Sequence, residues 1–136
     1  MKRLRKLKSG IVPKPLKIWF MIHFAVDVIF AIPLMIVPQA FLSALGWKIV
    51  DPIASRLVAA ALFGIGIESL LSVKASVDTH IGMLNLKIIW STAAIVGTVI
   101  SLIALGNEGP KLAWGIVGIF VVFAVIWIYW RVRIDE

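Results

Sequence analysis

The sequence predicts an all-α membrane protein, a transmembrane four-helix bundle with a short interfacial segment between spans one and two. Of the 136 residues, 61% are hydrophobic and 15% are charged, whereas a soluble domain has about 45–50% apolar and about 25% charged residues. Four separate apolar runs each approach the roughly 20 residues that a helix needs to cross a bilayer. Because these runs use nearly the whole chain, we expect a single integral membrane domain over residues 1–136.

The spans are predicted at residues 18–37, 53–72, 81–105 and 112–130. A kink is expected at Pro33, in the last turns of the first span. Asp51 and Pro52 supply a helix cap and a first-turn proline for the second span. Residues 39–50 are too few to cross and are expected to lie in the outer interface. Residues 74–80 are expected to form a polar loop.

The distribution of basic residues predicts the orientation of the chain. Ten of the fourteen Lys and Arg residues fall on the side of the two termini, seven of them in the tail 1–17, whereas the opposite loops hold only Lys48 and Lys111. Cytoplasmic segments carry this excess of positive charge. We therefore expect a multi-pass protein of the cell membrane with a cytoplasmic N-terminus and C-terminus. A cleaved signal peptide is disfavoured, because the first apolar run is long and no cleavage site follows.

Ionisable residues inside the spans form the candidate site, a buried polar cluster of His23, Asp27, Glu68 and Lys87. At about 1.5 Å per residue, three of them lie roughly 6–9 Å from the cytoplasmic boundary, and Asp27 lies on the order of 15 Å from it. His23 and Asp27 are spaced i, i+4 and share a helix face. Each charge costs roughly 2.5–3.5 kcal/mol in a span, so such residues usually face the bundle interior.

Two interpretations of this cluster stay open. In the structural one, Lys87 neutralises Glu68 or Asp27 and fixes the helix register, while His23 extends toward water. In the functional one, the cluster is a proton or ion relay. Arg56 is an outer-interface charge, whose side chain either extends to the lipid headgroups or binds carbonyls freed near the prolines of the first span. The fourth span has no polar side chain besides aromatics and is expected to face lipid or another subunit.

Several kinds of chemistry have no motif in the sequence. There is no cysteine, which excludes disulfides, thiolate metal sites and iron–sulfur clusters. His23 and His80 are expected at different depths, one in a span and one in a loop, so neither a metal nor a haem cofactor is expected. No nucleophile elbow or phosphate loop occurs. The net charge of +7 reflects the basic tail, which favours anionic lipid over nucleic acid as a partner.

Two stretches carry a family resemblance: the run Asp51-Pro52-Ile53-Ala54-Ser55-Arg56-Leu57 with the later Gly64-Ile65-Gly66-Ile67-Glu68-Ser69-Leu70-Leu71, and Met83-Leu84-Asn85-Leu86-Lys87-Ile88-Ile89-Trp90-Ser91. They look like a pattern found in small prokaryotic four-span membrane proteins of unknown function. The proline–leucine–glycine connection from Pro38 to Gly46 is more distantly similar to DoxX-like proteins. The resemblance implies a fold class and no activity.

Three functions are consistent with these observations. The favoured one is a structural or accessory subunit, since the loops are short and catalytic motifs are lacking; its partner would be a membrane protein or a second copy of this chain. The first alternative is a small proton- or ion-linked transporter that uses the polar cluster. The second is a membrane-embedded enzyme, which should show more polar residues at one interface. We expect no enzymatic activity.

Overall fold

The computed structural model describes residues 10–134, so most of the predicted basic tail and the last two residues lie outside the described residues. The described part contains five α-helices and no strand. In chain order they are α1 Lys14–Ile36, α2 Pro38–Ala44, α3 Pro52–Leu71, α4 Val77–Leu105 and α5 Ala113–Ile134. All except α2 are long and apolar enough to cross a membrane. The predicted four-span, all-α fold is confirmed, and the chain is a membrane protein.

The helix starts follow from local capping. The Asp51 carboxylate accepts hydrogen bonds from the backbone N–H groups of Ile53 and Ala54, at 2.8 and 3.1 Å, as the sequence predicted. At α4 the Ser76 hydroxyl accepts from the backbone N–H of Thr79 at 3.3 Å. This cap starts α4 before the predicted residue 81. The prediction of a polar loop through His80 is therefore wrong, because His80 lies in the first turn of α4 and is buried.

The four long helices form two pairs, α1 with α3 and α4 with α5, whose backbones approach closely along their length. The two pairs meet mainly through large side chains. We call the end of the bundle that holds the starts of α1 and α4 the terminal end, and the end that holds α2 the loop end. A core of aliphatic and aromatic residues closes the terminal end between the pairs: Val12, Leu16, Phe20, Met83, Leu84, Phe123, Trp127 and Ile134.

Two connections cover the loop end. Helix α1 passes through Pro33 to Ile36, and the Arg56 side chain of α3 donates through Nε to the backbone carbonyl of Met35 at 3.0 Å. Of the two roles predicted for Arg56, the structure shows the second, binding a carbonyl at the end of a helix. Gly46 has a φ of 101°, and a methyl group added there would lie 3.7 Å from Cβ of Pro110. The connection after α2 therefore lies close to the connection between α4 and α5.

Candidate functional site

Lys87 is the centre of the buried polar cluster. Its side chain is fully buried although it carries an ammonium group. The Nζ atom donates to Ser69 Oγ on α3 at 2.5 Å and lies 2.7 Å from Nδ1 of His23 on α1. Ser69 Oγ in turn donates to the backbone carbonyl of Ile65 at 2.6 Å. Lys87 therefore links both helices of the first pair to α4 through hydrogen bonds.

Two aromatic rings complete the surroundings of the lysine. Nζ lies 4.9 Å from the ring centre of Phe20 and 4.9 Å from that of Trp127. A cation over an aromatic face is attracted by about 2 kcal/mol or more when it is desolvated. The same Trp127 ring lies edge-on to His23, with 5.1 Å between the ring centres. These rings take the place of water around the ammonium group.

Asp27 extends the cluster toward the middle of the bundle. Its Oδ2 atom lies 3.4 Å from His23 Nδ1, yet it accepts no hydrogen bond from any described residue. The carboxyl group fits against α3 because residue 66 is glycine. A methyl group at Gly66 would lie 2.8 Å from Cβ of Asp27. No ion pair joins Lys87 directly to Asp27 among residues 10–134, and His23 stands between them.

Glu68 does not belong to the cluster, so its prediction as a residue of the buried site is wrong. It is exposed on the outer face of α3, where its carboxylate accepts a hydrogen bond from Ser72 at 3.0 Å. Its neighbour Ser69 takes the position beside Lys87. The physical reason is that consecutive helix residues point about 100° apart. The sequence therefore predicted the depth of Glu68 in the membrane but could not predict the direction of its side chain.

The fourth span also differs from its predicted role. Phe123 and Trp127 of α5 are buried, stack on each other at 5.6 Å between ring centres, and pack against His23. Helix α5 is therefore a wall of the site as well as a surface of the bundle. The sequence offered a signal in the i, i+4 spacing of the two aromatic residues, which places them on one helix face. Their apolar character hid the connection to a polar site.

His80 lies on the terminal side of the cluster. Its ring stacks on Phe20 at 4.8 Å between centres, and its Nδ1 is 3.0 Å from the carbonyl oxygen of Ser76. Its Nε2 is buried without a hydrogen-bond partner in the described part of the chain. The two histidines are thus joined through the rings of Phe20 and Trp127. No group of His, Asp and Glu side chains within residues 10–134 is arranged to hold a metal ion.

A cavity of about 670 Å³ lies between the two helix pairs, on the loop side of the cluster. His23 and Asp27 line its inner end, whereas Trp47 and Asp51 line the end nearest the loops. Its walls are aliphatic and aromatic side chains from all five helices, among them Phe30, Leu34, Phe41, Leu42, Val58, Leu62, Trp90, Ile116, Ile119 and Phe120. The arrangement is a partly open apolar chamber with a polar floor.

No protein-family model, curated protein or solved structure matches this chain. The resemblance to small four-span and DoxX-like proteins stays a prediction.

Proposed function

We propose that this chain is a non-catalytic accessory protein of the cell membrane that binds an amphiphilic molecule within the bilayer. The observation that carries the proposal is the cavity between the helix pairs. Its volume of about 670 Å³ lies within the roughly 300–1,000 Å³ typical of sites for small ligands. Such sites are mostly apolar with a few polar groups that orient the ligand, and here His23 and Asp27 supply those groups.

The distribution of Lys and Arg supports a cytoplasmic position for both termini of this binding protein. Both termini lie on one side of the membrane, since an even number of spans separates them, and the excess of Lys and Arg favours the cytoplasm. The cavity then extends from the cluster toward the opposite side of the membrane. A ligand drawn from lipid or from that side meets the connection over the loop end first.

Photolabelling tests the proposal. The purified protein in phosphatidylcholine nanodiscs is irradiated with a long-chain amphiphile that carries a diazirine, and the labelled residues are mapped by mass spectrometry. We expect labels on cavity-lining residues. Ala94→Phe, which places a ring in the cavity, should reduce them, whereas Ala60→Phe should not, because Ala60 is an exposed alanine at mid-span that does not line the cavity. Labels confined to lipid-facing residues would contradict the proposal.

A second candidate, transport, is favoured by one observation: the cluster of Asp27, His23 and Lys87 lies between the cavity and the terminal end. A carrier must open to both sides of the membrane in turn. Here the core around Leu84 closes the terminal end, so transport would require that core to separate.

Thiol accessibility distinguishes the two functions, because the chain contains no cysteine. Ala93→Cys lines the cavity and Leu84→Cys lies in the closed core. For a binding protein we expect a membrane-impermeant reagent to modify Ala93→Cys from the loop side and to leave Leu84→Cys unmodified from either side. Modification of Leu84→Cys from the terminal side, with the fold intact, would favour transport.

A further inference from the structure

Resting on the proposed function, and from the charges and hydrogen-bonding groups of the cavity lining, we propose that the ligand is a neutral lipid with a hydroxyl head, which enters head first and hydrogen-bonds to Asp27. The hydrocarbon part then fills the apolar chamber between the helix pairs.

The charges on the lining exclude an anionic head. Among the described residues that line the cavity, the charged side chains are two carboxyl groups, Asp27 at the inner end and Asp51 near the loops, and there is no Lys or Arg. Asp51 already caps α3. A phosphate or carboxylate head at the inner end would meet the buried carboxyl group of Asp27 and no lining cation. Like charges at short range in a medium of low dielectric repel strongly.

A cationic head is disfavoured by the lysine behind the floor. Lys87 Nζ lies 2.7 Å from His23 Nδ1. His23 Nδ1 in turn lies 3.4 Å from Asp27 Oδ2. One imidazole ring therefore separates the Lys87 amino group from the Asp27 carboxyl group. A second cation at Asp27 would leave one buried positive charge without a counter-ion, and burying an unpaired charge is costly. An uncharged head keeps the balance of the cluster.

The hydrogen-bonding groups on the lining match a hydroxyl. Asp27 is about 95% buried and its Oδ2 has no partner, and Trp90, which also lines the cavity, has a buried Nε1 without a partner among residues 10–134. Lys87 on α4 contacts His23 on α1, and the two helices run in the same direction. Trp90 follows Lys87 by three residues, and Asp27 follows His23 by four. At about 1.5 Å per residue they lie at nearly one depth. A hydroxyl donates to a carboxylate and accepts from an indole N–H, with small side-chain rotations of the kind common on binding.

Three probes that share one alkyl chain and differ in their head groups test this inference. Diazirine-bearing hexadecanol, hexadecanoate and hexadecylamine are compared at equal concentration in the bilayer of phosphatidylcholine nanodiscs. We expect the alcohol to label cavity-lining residues about tenfold more than either charged probe, the ratio given by a difference of about 1.4 kcal/mol. Equal labelling by all three probes, or a preference for the acid or the amine, would overturn the hydroxyl assignment and leave the binding function in place. Absence of cavity labelling by every probe would defeat the binding function itself.

Asp27→Asn gives an independent readout. The amide has nearly the size of the carboxyl and retains an acceptor oxygen, while the charge of Lys87 loses its balance. We expect the alcohol to continue to label the cavity and the hexadecanoate probe to gain relative to it. An unchanged ratio of acid to alcohol would show that Asp27 does not select the head group. Should this variant be unstable, the three-probe comparison on the parent protein decides alone.

Discussion

At the scale of single residues, the unusual feature is a lysine buried without a directly contacting carboxylate. Lys87 is surrounded by a serine hydroxyl, an imidazole nitrogen and two aromatic faces. Each of these contacts favours the ammonium group modestly, and together they replace its hydration. The nearest acid, Asp27, acts at a greater distance, with the His23 ring between them. Such an arrangement fixes the positions of three helices at one depth.

Lys87→Met should destabilise the protein even though it makes the span more apolar. The change removes two hydrogen bonds and leaves Asp27 without a compensating cation. Breaking a buried pair costs about 3–5 kcal/mol in soluble proteins, and polar contacts in membranes average about 0.6 kcal/mol. We expect a loss of about 1–3 kcal/mol, between these values. The measurement is unfolding in mixed micelles with increasing SDS.

Glu68→Gln is the matched control. Glu68 is exposed, and glutamine retains an acceptor for the Ser72 hydroxyl. Its unfolding midpoint should stay close to that of the parent protein. If the two substitutions had equal effects, Glu68 rather than Ser69 would be the partner of Lys87 on α3.

At the scale of helices, α3 packs against α1 with Gly66 opposite Asp27. Gly66→Ala places a methyl group 2.8 Å from Cβ of Asp27, so one of the helices must shift. Overpacking of this kind costs about 1–3 kcal/mol. Gly64→Ala, two residues earlier, meets nothing within 4 Å and should be neutral or slightly stabilising, because alanine has the higher helix propensity. Unfolding of both variants in SDS measures the difference in stability. Equal losses of stability would contradict this prediction.

Helix α5 offers a second comparison within one element. Trp127 is fully buried against the cluster, whereas Trp114 is 50% exposed near the loop end. Trp127→Leu should cost about 2–4 kcal/mol, somewhat less than the about 3–5 for Trp→Ala in cores, because leucine retains part of the packing. Trp114→Leu should cost less than about 1 kcal/mol, as is usual at exposed sites away from special contacts. Thermal denaturation in one detergent ranks the two variants. Equal losses would mean that α5 is only a lipid-facing wall.

At the scale of the whole molecule, the orientation of the bundle is a prediction from charge alone. Reporter fusions before Met1 and after Glu136 should both be active in the cytoplasm, and a reporter inserted in the loop after Gly106 should be active on the opposite side. The reason is the excess of Lys and Arg beside the termini. A cytoplasmic signal from the Gly106 fusion would reverse the orientation and place the cavity opening in the cytoplasm.

The fold was largely predictable because hydropathy and capping act locally. The predicted second span begins within one residue of α3, since Asp51 and Pro52 mark its start in the sequence. The start of α4 could have been found too, because Ser76 with Asp78 in the following turn is a helix-start signal. The site was predictable only in part. His23 and Asp27 share a face by spacing, but the choice of Ser69 over Glu68 depends on how α3 is rotated about its axis, which packing decides.

The division of the bundle into two helix pairs has a consequence for biogenesis. The ribosome delivers α1 and α3 before α4 exists, so the first pair must enter the bilayer with His23 and Asp27 but without Lys87. The second pair brings the lysine and the Trp127 ring later. The polar cluster is therefore complete only when both pairs have associated, and a chain arrested after Lys74 would hold the His23 and Asp27 side chains in the membrane without the amino group of Lys87.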